Sequence, residues 1–478
     1  MARRYSSLLT VFLLLVGLLA AAKTASPDKA LLENVPHIRQ KPDFCGEACA
    51  AMWLKKLGHP GDQDWVYDQS GLDPCKDILH ARGCYTRELS KALTAIGFKV
   101  GPVYHEVAVK NADRELEKLL LDMRNDLKKG IPSIVCMHYD EKPNTTEHFR
   151  LVLGYDNRTE KIIYHEPAEK KGAYRRMERE KFLALWPLKY RKETWTVIRL
   201  RLESKTLKPV KIAAGHTAAD YTQHIMKLKP KVPKKGFTIL VQPPFVVIGD
   251  EPPQRVAYRS KHTVKWATDH IKQSYFTKDP NKIIDIWLVK DKESYRKHTK
   301  SIFNDNPGTP YGYYSHEHDA LIMNIATGGG TLVHEIVHPY MHANFPECPS
   351  WFDEGLASLY EQSGERNGKI VGLTNWRLAG LQKTIQAKKL PAFKTLCSTT
   401  RYQFYYMDSG NNYAQARYLC YYLQENGLLR KFYREFHKNH KTDPTGYGTL
   451  LKILDKTEAQ MPAWQKDWEA WVLKLRFP

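Results

Sequence analysis

The sequence predicts an α+β protein of two folded domains, the first mixed and the second mainly helical around a small sheet. Three observations predict this. A chain of 478 residues exceeds what one ordinary hydrophobic core accommodates. Strand-patterned runs cluster between residues 131 and 166, with helical runs on either side. Beyond residue 330 the apolar spacing is mostly helical. Hydrophobic residues make up 42% of the chain, so disorder is not expected over most of it.

Arg3 and Arg4 precede an apolar run over residues 8–22 and a polar segment that begins at Lys23. This is the pattern of a secretory signal over residues 1–22, with Ala20-x-Ala22 as the cleavage pattern, and the run is short for a membrane span. An uncleaved anchor is the alternative. No later stretch is long and apolar enough to cross a bilayer, so no transmembrane domain is expected after signal removal. The chain is therefore expected to be exported, to a periplasmic or extracellular location. Export changes the meaning of the net charge of +21. The basic residues are scattered and form no compact recognition motif, so no specific nucleic-acid partner is expected. A solvated basic surface with no specific partner is the first expectation, and attraction to an anionic envelope surface, polysaccharide or acidic substrate is the milder inference. Eight cysteines fix no pairing. Cys75 with Cys84 is the simplest local disulfide, and two of Cys348, Cys397 and Cys420 are candidates for a staple between C-terminal helices.

The first domain is expected over residues 34–201. From Cys45 to Leu57 the apolar and alanine positions recur at helical spacing, and Gly58 ends the run. Cys45 thus falls in the first turn, where free N–H groups and the helix dipole favour a thiolate. A thiolate nucleophile needs a base and a group that orients the base. The runs IPSIVCMHYD, HFRLVLGYD and EKIIYHEP read as three successive strands. His148 opens the second and Glu166 follows the third, so adjacent strands can set them side by side. Gln40, five residues before Cys45, is a candidate amide donor to an oxyanion. Helical patterns over 88–96 and 112–129, a shorter one over 178–186 and the strand WTVIRL complete the domain.

These residues resemble a family. Gln40, Cys45-Gly46, Cys49, the run from His148 to Asp156 and an acidic residue before Pro167 are similar to the papain-like C39 peptidases and their C39-like relatives. The resemblance implies Cys45 as nucleophile, His148 as base and Gln40 at the oxyanion. The orienting position, usually an aspartate before proline, is Glu166 here. A degenerate binding module with ordinary buried cysteines is the competing reading.

A lysine-rich segment with scattered prolines, 202–235, is expected to be a basic linker, with DYTQHIMKL a short helix within it. The second domain, 236–478, opens with the strand FVVIGDE, a helix over 258–275, the strand KIIDIWLVKD and a helix over 292–302. A turn-rich stretch follows, NDNPGTPYGYYSHEHD, and then the strand ALIMNIAT, expected to run along the cleft as an edge to which substrate backbone adds. His316 and His318 in the turn-rich stretch are left outside the metal ligand set. Further helices are expected over 376–388, 413–425, 427–439, 448–456 and 464–475.

Between strand and helices lies TLVHEIVHPYMHANFPECPSWFDEGLASLYE, residues 331–361. Residues i and i+4 share a helix face, so His334 and His338 can aim both imidazoles at one ion with Glu335 on the flank. Glu354 follows sixteen positions after His338 in a second helical run. Two imidazoles and one carboxylate leave a position of Zn²⁺ open to water, the composition of a catalytic site. Asp353 is placed to support a ligating imidazole, and Tyr413 is a candidate oxyanion donor or a packing residue. This half resembles the gluzincin clan of zinc metallopeptidases, the peptidase MA-like proteins with HExxH followed by WFxEGLA. The resemblance implies a zincin-type domain with His334, His338 and Glu354 as ligands and Glu335 as general base. The expected function is zinc-dependent hydrolysis of a peptide or protein substrate, with a second, cysteine-dependent activity in the first domain. The alternative is a non-catalytic module that binds peptide or envelope polymer.

Overall fold

The apolar run HFRLVLGYD is buried at every position, which a strand achieves only with neighbours on both sides and layers on both faces. The computed structural model describes residues 29–143, 145–211, 215–315 and 317–478. The expected signal over 1–22 and His316 lie outside them. Among the described residues no helix is long and apolar enough to cross a membrane. The chain divides into two units, Met1–Leu72 with Arg82–Ile212, and Asp73–Ala81 with Ala213–Pro478.

The first unit is a mixed α/β fold. Its strands are β1 (Lys29–Leu31), β2 (Tyr104–Ala108), β3 (Ser133–His138), β4 (Glu147–Asp156), β5 (Lys161–His165), β6 (Arg175–Glu178) and β7 (Thr194–Arg201). They form an antiparallel sheet in the order β2–β7–β3–β4–β5–β6, with β1 added along the end of β4. Helix α1 (Cys45–Lys56) is buried from Gly46 to Leu54. Its alanines at 48, 50 and 51 are small enough to bring the helix axis close to β4. Helix α2 (Ala112–Lys128) buries Leu116, Leu120, Met123 and Leu127 at helical spacing. These pack with Val135, Met137, Val152 and Trp186.

The second unit is largely helical with smaller sheets. Its main sheet contains β8 (Thr238–Gln242), β9 (Phe245–Gly249), β10 (Ile284–Val289), β11 (Gly312–Ser315) and β12 (Ala320–Asn324) in the order β8–β9–β10–β12–β11. β9, β10 and β12 run parallel, and β11 closes the edge antiparallel to β12. This corrects one expectation: the run ALIMN is not the edge strand. Every residue of β12 is buried, as apolarity on both faces requires of an interior strand. The edge comes instead from GYYS, inside the segment read as turns. The segment expected as linker contains the helix Ala218–Leu228, closed at its start by a capping box of Thr217 and Asp220. Tyr221, Ile225 and Leu228 from it join Val246, Ile248 and Trp287 in a core cluster.

All eight cysteines are free thiols, so the suggested pairings are not formed. Cys75 is exposed and counted with the second unit, whereas Cys84 is buried in the first, where its N–H donates to Glu47 at 2.7 Å.

Candidate functional site

The three glycines before the HEIVH run have a steric reason. Gly328 takes a φ of +105°, and a Cβ on Gly330 would lie 2.0 Å from the Glu361 carbonyl oxygen. Helix α3 (Gly330–Asn344) therefore starts where only glycine fits. It buries Leu332, Val333, Ile336, Val337, Tyr340 and Met341, which turns His334 and His338 together to the remaining face. Pro339, inside the helix, cannot donate to the Glu335 carbonyl. Helix α4 (Ser350–Leu359) is buried from Trp351 to Leu359 and packs on α6 (Ser409–Glu425). Gly355 permits this: its Cβ would already stand 3.1 Å from the Ala416 carbonyl oxygen and from Cys420 Sγ.

The result is a convergence of three ligand atoms. His334 Nε2 and His338 Nε2 lie 3.1 Å apart. Glu354 Oε2 stands 3.3 Å from the first and 3.7 Å from the second, and all three fall within 4.8 Å of one another. Glu354 Oε2 is buried and has no hydrogen-bond partner among the described residues. Two imidazole nitrogens and an orphaned carboxylate oxygen aimed at one point suit a borderline divalent ion, and the set is consistent with a zincin-type metal site. His318 packs against the Phe303 ring at 5.2 Å and does not join this cluster.

Carboxylates and phenols surround the cluster. His338 Nδ1 donates to Asp353 at 2.9 Å. Tyr405 donates to Glu354 Oε1 at 2.6 Å, and the Tyr413 hydroxyl also reaches the Glu354 carboxylate. Burial works to lower His338, but Asp353 and Glu354 outweigh it and push it up to about 9. His334 is raised in the same way, by Glu354 and Glu361. Asp353 is held well below the usual carboxyl range despite burial, chiefly by His338. The site thus favours positive charge between its histidines. Glu335 is half-buried beside them, its carboxyl raised by burial against the pull of both imidazoles. Sequence reasoning missed Tyr405, which sits on helix α5 (Arg401–Tyr406). Its start carries a readable signal, the capping box of Thr400 and Gln403.

In the first unit the structure joins two of the residues singled out by sequence, His148 and Glu166. His148 Nε2 donates to Glu166 Oε1 at 2.5 Å, which leaves Nδ1 as the acceptor. Glu166 Oε2 accepts from Arg150 Nε at 2.7 Å, and Arg150 is anchored in turn on the His138 and Tyr139 carbonyls. Burial works to raise Glu166, but His148 and Arg150 hold it below the usual carboxyl range. The extra methylene of glutamate is thus taken up by a guanidinium on its second oxygen. Gln40 donates its backbone N–H to the Pro167 carbonyl at 2.9 Å, and its side-chain Oε1 is buried without a partner among the described residues.

Cys45 opens α1, as expected, yet its thiol is not lowered. Burial pushes it up to about 12; the Phe149 N–H opposes this, and Glu47 and Asp43 add to it. Lost hydration, with the Glu47 and Asp43 carboxyls adding to it, outweighs the helix dipole here. Among the described residues no hydrogen bond joins Cys45 to His148. Alkylation of Cys45 by iodoacetamide, followed by mass spectrometry of its peptide, is therefore expected to accelerate about tenfold per pH unit between roughly pH 7 and 9. A rate already at its plateau at neutral pH would show a thiolate instead.

Residues 32–193 match the model of the Peptidase_C39 like family, so the N-terminal domain is C39-like. The peptidase domain of Streptococcus ComA, a bi-functional ABC transporter involved in a quorum-sensing pathway, is similar over 35% of this chain and 97% of that chain. The identity is 17% and the TM-score 0.22. No curated protein matches the chain.

Proposed function

We propose that the protein is an exported zinc-dependent peptidase whose reaction centre is formed by His334, Glu335, His338 and Glu354. We propose further that its C39-like domain binds polypeptide rather than cutting it. The observation that carries the first part is the orphaned, buried Glu354 Oε2 facing two Nε2 atoms only 3.1 Å apart. Bound there, Zn²⁺ would supply Lewis acidity to water and to the scissile carbonyl. His334, His338 and Glu354 would hold the ion, and Asp353 fixes the tautomer of His338 by accepting its Nδ1–H. Glu335 takes the proton of the attacking water and returns it to the leaving amine. Its raised carboxyl suits a base that must release the proton again. Tyr405 and Tyr413 hold Glu354 from the opposite side, and β11 offers an open strand edge along which an extended peptide can lie.

The second part rests on the elevated Cys45 thiol and its lack of a hydrogen bond to His148. The two parts separate in one experiment on the purified protein with a quenched casein substrate. A chelator such as 1,10-phenanthroline is expected to abolish cleavage, with recovery on adding Zn²⁺. Complete alkylation of Cys45 is expected to leave more than half of the activity. Cleavage that resists chelation and disappears on alkylation would reverse the assignment of the two domains.

A further inference from the structure

We infer that Glu361 and Arg377 are positioning residues for the metal centre, which fix the His334 ring so that Nε2 rather than Nδ1 faces the ion. The inference rests on the metal-centre reading above. An imidazole that ligates through Nε2 keeps its hydrogen on Nδ1, and that N–H needs an acceptor. For His338 the acceptor is Asp353. For His334, buried at 8% exposure, no aligned hydrogen bond reaches Nδ1 among the described residues. The polar group that faces Nδ1 is Glu361 Oε1, 3.3 Å away, the separation of an ion pair rather than of an aligned hydrogen bond.

Glu361 is itself held on all sides. Arg377 Nε donates to Oε2 at 2.9 Å, Arg377 Nη2 donates to Oε1 at 2.6 Å, and Asn375 Nδ2 donates to Oε2 at 3.0 Å. The carboxylate is buried, so water does not compete for it. Its backbone is fixed as well, because the Glu361 carbonyl lies against Gly330 at the start of the helix that carries His334. Arg377 has a second role. Its guanidinium stands 4.9 Å from the centre of the Tyr413 ring, and the Tyr413 hydroxyl reaches Glu354. One arginine thereby braces the supports of two ligands that come from different helices. An ordinary buried ion pair would need only its partner; this one stops at the metal-free nitrogen of one ligand and behind the carboxylate of another.

The test is Zn²⁺ affinity, measured on the purified protein by competition with a chromophoric chelator, together with the visible absorption of the Co²⁺-substituted form. Glu361→Gln keeps the shape and removes the charge; it is expected to weaken Zn²⁺ binding about 10–100-fold and to change the Co²⁺ band. Arg377→Met is expected to act in the same direction, with Arg377→Lys restoring part of the affinity. A purely structural role would lower thermal stability and leave the Zn²⁺ affinity and Co²⁺ band of the folded variants at parental values, and that result overturns the inference. The underlying reading fails differently: the parent then binds no single equivalent of Zn²⁺, or His334→Ala binds as tightly as the parent.

Discussion

Replacing Glu335 by Gln is expected to leave one Zn²⁺ bound and to lower the turnover of a peptide substrate by about 10²–10⁴-fold, the usual share of a general base. The expectation follows from what Glu335 does and does not touch. It shares helix α3 with His334 and His338, and both imidazoles act on its carboxyl. It is not one of the three converging ligand atoms. Removing its charge therefore costs no metal–ligand bond, whereas a glutamine cannot accept and return a proton. The variant should also bind substrate nearly as well as the parent, so the loss should fall on kcat with KM little changed. Metal analysis beside steady-state kinetics decides the matter. A Glu335→Gln protein that cleaves as fast as the parent, or one that has lost its zinc, removes Glu335 from the role of base.

The His334, His338 and Glu354 cluster was legible because its information is local. HEIVH compresses two ligands into one helical turn, and Glu354 lies in a run whose apolar pattern already announces a second helix. The supports of those ligands were not legible. Glu361 closes the ligand-bearing stretch just past the end of α4, Arg377 and Tyr405 come from later segments, and no spacing pattern ties any of the three to an imidazole or carboxylate partner. Only the Thr400 and Gln403 capping box betrayed the helix that carries Tyr405. The edge strand GYYS was hidden because proline, glycine and asparagine crowd the residues before it, although its two adjacent tyrosines favour a strand. The Cys45 thiol shows the opposite error. Local reasoning found the helix start correctly and so expected a thiolate, while the terms that decide the matter, burial and the Glu47 carboxylate, depend on how α1 packs. Short-range rules placed the backbone well, and long-range electrostatics then set the chemistry.

The second large effect expected lies away from either site, in the sheet that carries His148. Asp126, on α2, accepts from Arg201 Nε at 2.7 Å and Nη2 at 3.0 Å, and from Arg199 Nη2. Arg199 is 5% exposed and Asp126 is 7% exposed, and Arg199 Nε is spent on Ser133 Oγ at 2.9 Å. Asp126→Asn would leave a buried guanidinium without its counter-charge, which typically costs about 3–5 kcal/mol. Burial works to raise the Asp126 carboxyl, but Arg201 and Arg199 outweigh it and hold it below its usual value. A depressed carboxyl contributes stability that is complete above its unfolded value, near pH ~4, and that is lost as pH falls through the folded value. The difference between parent and Asp126→Asn should therefore be full at neutral pH and shrink below about pH 4. Hydrogen exchange of β3 and β7 in the intact protein, read by mass spectrometry, measures it at each pH. Equal protection of those strands in parent and variant at pH 7 would show that the two arginines need no anion there, and the pair would count as surface electrostatics rather than as the brace between α2 and the sheet.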